Sequence, residues 1–438
     1  MTSDTAADSP SHLVIVGASL AGLRATETAR KLGFAGRITL VGAEEYLPYN
    51  RPALSKSFLD LSRAGNPEPG IEYLFDSDDL ARDLDTTVVV GAPATALYPA
   101  AHEVSVGENA ITYDKLIIAT GAYALRLPRS IPGAHAQGIH SLRTIDDARQ
   151  LASALDATDH AVVIGAGFVG SEVASAARAR GAAATIIERL HTPLVRSVGT
   201  EVGGIVTRLH ETHGTEVLCN TAVTDILTRD DHVIGVRLDN GAVIDTDTVI
   251  VGVGARPATE WLEGSGITLH PDGGIVCGPD LATSIPDVYA AGDVAHAPNT
   301  LLDGDLMRPE HWTNAAEQGA AAAQHALGVP PTKATAPVPY FWSDLYGSRI
   351  QFVGTPRAEE ITTVGGDTEQ PIVLYRRDSR IVGAFTLNRP RDVMKLRRRI
   401  SQQGDFVEAL DYAHELTNTM TATSTSSSLP TATEGSSR

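Results

Sequence analysis

The stretch HAVVIGAGFVGSEVASAARARG, His160–Gly181, decides the fold of this chain. An apolar run of strand length breaks at glycine, three glycines follow in the spacing GxGxxG, and a helical pattern begins at once. The three glycines do different things. Gly165 allows a tight turn, Gly167 lets backbone approach a pyrophosphate, and Gly170 lets the helix pack close to the strand. The following strand, ATIIERL, ends at Glu188, where a carboxylate meets the adenosine ribose of NAD. That charge repels a 2′-phosphate and favours NADH over NADPH, with adjacent Arg189 keeping NADPH as the alternative.

The same grammar occurs about 150 residues earlier. HLVIVGA (His12–Ala18) is a strand ending in glycine, LAGLRATETARKLG a helix, and RITLVGAEE a second strand. Its fingerprint is GASLAG, Gly17–Gly22, with Ser19 in place of the middle glycine; a serine hydroxyl still bonds a phosphate oxygen. Glu44 stands where a ribose hydroxyl wants a carboxylate, with Glu45, or neither acid, left open. Two such units make two nucleotide-binding modules in an α/β chain of Rossmann-like type. Three further strands end in glycine: KLIIATGA with Thr120 and Gly121, DTVIVGVGARP with Gly254, and SIPDVYAAGDVAHA with Gly292 and Asp293. Such ends bring bare backbone to a ligand at the carboxyl edge of a sheet.

Beyond Leu327, GVPPTKATAPVP reads as a linker. YFWSDLYGSRIQFVG, PIVLYRR and RIVGAFTLN then alternate like antiparallel strands, and a basic helix runs through RDVMKLRRRI. The final TATSTSSSLPTATEGSSR has little to bury and is expected to be disordered.

At 438 residues the chain has room for two to four domains. A net charge of −18 argues against a nucleic-acid binder, because phosphate affinity comes from clustered Lys and Arg. No apolar run is long enough to span a membrane, and the polar, acidic MTSDTAADSPSH resembles no secretory signal, so a cytoplasmic location is expected. Cys219 and Cys277 are far apart and outside any CxxC, which predicts inert thiols. HETH, His210–His213, lacks a third ligand, and no metal is expected.

The ordered set GASLAG, LPYNRPALSK, ATGA, SLRTIDDA, GAGFVGSEVA, GVGARP, AAGDVA and WSDLYG resembles the FAD-dependent, NADH-using ferredoxin reductases that serve bacterial cytochrome P-450 type monooxygenases and aromatic-ring dioxygenases. The likeness covers residues 11 to 412 and implies FAD at the first fingerprint and NADH at the second. It implies a discontinuous FAD domain (1–125 and 251–328), an NAD domain (126–250), a C-terminal α/β domain with an antiparallel sheet (329–415) and a disordered tail (416–438). The flavin contacts implied are Ala21, Lys56, Ala94, Arg143, Asp293 and Trp312, with Arg51 in the cofactor set. Where that family usually has an acid after LVG, this chain has Ala43, and Glu44 stands in for it.

LPYNRPALSK, Leu47–Lys56, occupies the place where many flavoprotein reductases hold a redox cysteine pair, and it has none. Electrons must therefore leave for an external acceptor, which the resemblance makes an iron–sulfur ferredoxin. Lys56 is the cation expected to stabilise the anionic reduced flavin. About 4 Å from the ring, such a cation is worth on the order of 4 kcal/mol at an effective dielectric of about 20. Glu172, in the first turn of the second fingerprint's helix, is its expected ion-pair partner. An acidic ferredoxin needs a basic face, and the C-terminal region supplies arginines, with Arg376, Arg377, Arg397 and Arg398 the leading candidates. A monomer or homodimer is expected. The competing readings are a rubredoxin reductase, an NADH oxidase or a redox-sensing flavoprotein.

Overall fold

In the computed structural model, which describes residues 10–59, 71–75, 80, 82–329, 337–365 and 370–425, two five-stranded parallel sheets dominate the first three quarters of the chain. The first runs Val288–Ala290, Lys115–Ile118, His12–Val16, Arg37–Val41, Thr86–Val89. The second runs Thr215–Leu218, Ala183–Ile187, His160–Ile164, Thr248–Val251, Ile139–His140. Parallel sheets are covered on both faces, so their strands are apolar without alternation; Leu13, Val14 and Ile15 are fully buried, as are Ala161, Val162 and Val163.

Because the first sheet takes an edge strand from Val288–Ala290, the chain leaves that unit, builds the second and returns. The outgoing and returning segments, Ala122–Ala124 and Ala255–Pro257, pair antiparallel. Helix Leu20–Lys31 packs on helix Trp312–Ala326 so closely that a Cβ on Gly319 would lie 2.2 Å from the Ala21 carbonyl oxygen.

The third body is a five-stranded antiparallel sheet ordered Tyr340–Leu345, Ser348–Gly354, Arg380–Leu387, Ile372–Arg377, Glu360–Val364. The strand Glu360–Val364 escaped the sequence reading because its EITTV pattern is short, polar and at a sheet edge. Helix Pro390–Ser401 covers one face through Val393, Leu396 and Ile400. On the other face Val198, Val202 and Val206 of helix Val195–Thr212 pack among Phe341, Phe352 and Phe385, fastening this sheet to the second parallel unit.

Two antiparallel meanders also went unread: Ala94–Tyr98/Glu103–Val106/Asn109–Thr112 and Val223–Arg229/His232–Leu238/Val243–Asp245. Helix Phe406–Thr425 enters the segment expected to be a disordered tail, because Ala409 and Ala413 are buried and Leu416 packs against the same core. Most of the expected linker and residues 426–438 lie outside the described residues. Among the described residues, no helix is long and apolar enough to cross a membrane.

Candidate functional site

Gly17, at φ +125°, ends the first strand with its backbone against the next strand end; a Cβ there would sit 2.0 Å from the Ala119 carbonyl oxygen. Gly22 approaches the Gly17 carbonyl equally closely, at 2.0 Å for an added Cβ. Only glycine permits both approaches. Ser19 caps the following helix by position, but its hydroxyl makes no capping hydrogen bond, and the residue lines a cavity of about 380 Å³.

That cavity collects most of the residues singled out from the sequence. Gly17, Ser19, Ala21, Glu44, Arg51 and Lys56 line it from the first unit, with Ala94, Thr120, Gly121 and Arg143 beside them. Gly292, Asp293 and Trp312 close it from the returning segment, and Phe168, Val169 and Glu172 reach in from the second unit. Gly22, Gly165, Gly167, Gly170, Glu188 and Gly254 lie outside its walls.

The second fingerprint repeats the geometry of the first. A Cβ on Gly165 would meet the Gly252 carbonyl oxygen at 2.4 Å, and one on Gly170 the Gly165 carbonyl oxygen at 2.1 Å. The Glu188 carboxylate is oriented across this turn by the amides of Ala166 (2.7 Å) and Leu190 (2.8 Å). Arg189 is exposed beside it. Gly254, at φ +115°, instead turns the returning segment, its carbonyl accepting from the Leu125 amide at 2.9 Å.

Polar groups in the main cavity form connected pairs. Arg51 binds Glu44 at 2.7 Å, Tyr49 donates to the other Glu44 oxygen at 2.7 Å, and Arg51 donates to the Arg143 carbonyl. Arg143 pairs with Asp293 at 3.0 Å, while Arg308 donates to the Asp293 carbonyl at 2.9 Å and pairs with Glu310. Burial raises the Glu310 carboxyl above its usual range. Glu44 and Ala43 line the cavity, and Glu45 does not.

At the junction of the units, Lys56 Nζ lies 2.7 Å from Glu172 Oε1. Glu172 is 5 % exposed and takes two further donors, the Ser55 hydroxyl on Oε2 and the Ser343 hydroxyl on Oε1 at 2.5 Å. The ion pair was expected; the serines were not. Ser343 lay inside the quoted WSDLYG motif, but nothing in the sequence aimed it at Glu172.

An aromatic series leads outward. The Trp312 and Trp342 rings lie 6.3 Å apart, Trp342 stacks with Tyr340 at 5.8 Å, and the Arg397 guanidinium lies over Tyr340. The basic residues of the C-terminal region are largely paired: Arg376 with Glu359 and Glu360, Arg377 with Asp303 and Asp305, Arg397 with Glu317. Arg398 and Arg391 are exposed on helix Pro390–Ser401.

The HETH histidines serve packing: His210 Nδ1 bonds the Tyr346 hydroxyl at 2.7 Å and His213 stacks on the same ring. His270, Asp272 and His296 come together, a grouping the sequence did not reveal, with Arg308 3.2 Å from the Asp272 carboxylate as its counter-charge. Cys277 is buried and its thiol pushed up to about 12 by that burial; Cys219 is a separate free thiol.

A bound FAD suits the main cavity. Buried in its walls, His311 Nδ1 and Trp261 Nε1 have no hydrogen-bond partner, a cost of about 1–3 kcal/mol each that a polar guest relieves. Burial depresses His311 to about 4, so its ring is neutral at pH 7.

Residues 11–319 match the pyridine nucleotide-disulphide oxidoreductase model, and residues 340–420 the reductase C-terminal model. The chain is 35 % identical to rhodocoxin reductase of Rhodococcus erythropolis, over 89 % of this chain and 90 % of that protein. It is 32 % identical to the 3-phenylpropionate/cinnamic acid dioxygenase ferredoxin–NAD(+) reductase component of Photorhabdus laumondii subsp. laumondii, over 91 % and 98 %. Its fold matches the crystal structure of the covalent putidaredoxin reductase–putidaredoxin complex with a TM-score of 0.83 and 29 % identity, over 90 % of this chain and 93 % of that one.

Proposed function

The chain belongs to the pyridine nucleotide-disulphide oxidoreductase family, and from that membership we propose an FAD-containing ferredoxin reductase that draws on NADH and serves a cytochrome P-450 type monooxygenase or a ring-hydroxylating dioxygenase. The observation that carries the reading is the Lys56–Glu172 ion pair, 2.7 Å long, in a cavity flanked by two dinucleotide turns and lined, among the described residues, by no cysteine. When bound, FAD supplies a ring that accepts a hydride and releases its electrons singly.

The residues divide that work. Gly17, Ser19 and Ala21 present backbone and hydroxyl to the pyrophosphate, with the adjoining helix N-terminus favouring its charge. Glu44 takes the ribose in preference to Glu45, since it alone of the two lines the cavity. Arg143 and Asp293 would hold the polar part of the cofactor, Trp312 and Trp342 would screen its ring from water, and Lys56 would supply the positive charge that favours the reduced ring, all of them lining the one cavity. Glu188, turned across the second fingerprint by two amides, supports NADH over NADPH. The FAD unit then comprises 1–125 with 251–328 and the NAD unit 126–250, the C-terminal unit begins at 329 and runs past 415 through the helix Phe406–Thr425, and the setting is cytoplasmic.

Relatives that are reductases of a dioxygenase system, and a solved neighbour joined to putidaredoxin, support a small iron–sulfur protein as acceptor. The test is a panel of 2Fe–2S, 3Fe–4S and 4Fe–4S ferredoxins, a rubredoxin and dioxygen, reduced under NADH and under NADPH. Rapid NADH-driven reduction of a ferredoxin is expected. Loss of FAD on purification, or turnover with dioxygen alone, overturns the proposal.

A further inference from the structure

Glu172 is the acceptor on which separate stretches of the chain converge. Ser55 and Lys56 reach it from the 3-10 turn beginning at Arg51, and Ser343 from the first strand of the C-terminal sheet. Glu172 itself projects from the helix Phe168–Ala179 of the second unit. We propose that Ser343 is a positioning residue for the redox centre: by fixing the Glu172 carboxylate it fixes the Lys56 ammonium, and so makes the C-terminal sheet part of the flavin site. The inference rests on the ferredoxin-reductase reading above.

Geometry carries the argument. Ser343 is fully buried and its place is set by the ladder, in which it is registered with Ile350. Its hydroxyl therefore arrives at Oε1 from a fixed direction, 2.5 Å away, on the same oxygen that Lys56 reaches at 2.7 Å. Ser55 holds the other oxygen, so the plane of the carboxylate is determined. A glutamate terminal torsion is broad and turns easily when unrestrained. With the Ser343 hydroxyl removed, Oε1 keeps only the flexible lysine, and the carboxylate is free to swing towards Ser55 and take Lys56 with it. Hydrogen bonds to charged groups are among the stronger ones, which makes this hydroxyl an effective clamp.

The adjacent residue adds a functional link. Trp342 precedes Ser343 on the same strand and lies 6.3 Å from Trp312, ring to ring, at the cavity wall. One strand thus presents an aromatic to the cavity and a hydroxyl to the acid that orients its lysine. Movement of this strand shifts both together.

The experiment compares Ser343→Ala in the native background and in Glu172→Gln. Three quantities are measured: anaerobic single-turnover reduction of the bound flavin by NADH, the flavin midpoint potential, and FAD content. Ser343→Ala is expected to slow reduction about three- to tenfold and shift the potential with FAD content unchanged. In Glu172→Gln the same substitution is expected to cost less than about twofold, because a residue acting through another loses its effect when that residue is changed. Equal losses in both backgrounds mean a merely structural serine and overturn the proposal, as does an unchanged rate and potential. Should Ser343→Ala not fold, Ser343→Cys, whose thiol is a weak donor, carries the same comparison. A crystal structure of the Ser343 variant without cofactor decides the point independently. A turned Glu172 carboxylate with a broken Lys56 contact supports the clamp, an unmoved pair refutes it, and neither depends on the flavin chemistry.

Discussion

Lys56 is 21 % exposed and Glu172 only 5 %, so the pair is sheltered from bulk water on its acid side. Desolvating both ions costs several kcal/mol, and the two serine hydroxyls on the carboxylate offset part of that cost. An arrangement this expensive is poor evidence for stability and better evidence for a charge kept at a chosen place. Lys56→Met removes the charge and retains much of the side chain's length. It is expected to leave FAD bound while slowing flavin reduction by NADH about tenfold or more, the equivalent of about 1.4 kcal/mol in the barrier. Anaerobic stopped-flow absorbance measures this directly, and an unchanged rate refutes the role of Lys56. Both members of the pair were legible in the sequence, Lys56 through the family resemblance carried by LPYNRPALSK and Glu172 through its place two residues past Gly170. Ser343 was not, because its aim depends on the register of a sheet built from distant strands, which no local pattern encodes. Glu44 was legible as a candidate acid, but its engagement with Arg51 and Tyr49 was not, since that depends on how the chain after the second strand folds back.

Between elements, the helix Val195–Thr212 does what neither parallel sheet does alone, holding the C-terminal sheet against the second nucleotide unit. Its polar fastening is His210, fully buried, with Nδ1 on the Tyr346 hydroxyl and Nε2 unpartnered. The same hydroxyl bonds Thr215 at 2.7 Å, and His213 stacks on the ring. Burial, with a smaller contribution from His213, lowers His210 from 6.5 to about 4. The unfolded chain therefore takes up a proton near pH 6.5 that the folded chain resists until about pH 4. Stability from this residue is complete above about pH 6.5 and is lost as the pH falls towards 4, by about 2 kcal/mol between pH 7 and pH 5. His210→Gln is expected to flatten that part of the profile, seen as a smaller change in urea unfolding free energy between the two pH values than in the native chain. His311, also lowered to about 4 by burial, acts in the same direction, so the native slope is reduced but not abolished. At this scale the sequence disclosed most of the parallel strands, whose unbroken apolar runs follow from burial on both faces, but not the half-buried edge strands Thr86–Val89 and Ile139–His140. It concealed the meanders, whose strands have a mixed pattern half open to solvent.

Taken whole, the molecule carries a charge of −18, and an acidic partner approaching it meets net repulsion unless it is steered to one patch. The sequence pointed to the C-terminal region for such a patch but could not distinguish engaged arginines from free ones. Arg376 and Arg377 are tied to Glu359, Glu360, Asp303 and Asp305, so their field is largely cancelled at a distance. The helix Pro390–Ser401 differs: Arg391, Met394, Lys395 and Arg398 are all exposed, at a spacing that puts them on one face. From the same helix Arg397 lies over Tyr340, which stacks on Trp342 at the cavity wall, so the basic stripe adjoins the aromatic series leading inward. Reversing Arg391 and Arg398 together to glutamate is expected to raise the KM for an acidic ferredoxin about tenfold at low salt and to flatten its salt dependence. NADH-driven reduction of a small dye, which needs no docking, is expected to stay unchanged. The matching reversal of Arg376 and Arg377 breaks ion pairs within the protein, and is expected to lower thermal stability more than it raises that KM. If instead the strand arginines dominate the KM and the helix pair leaves it unaltered, the ferredoxin docks on the edge of the antiparallel sheet and the aromatic series is not its route inward.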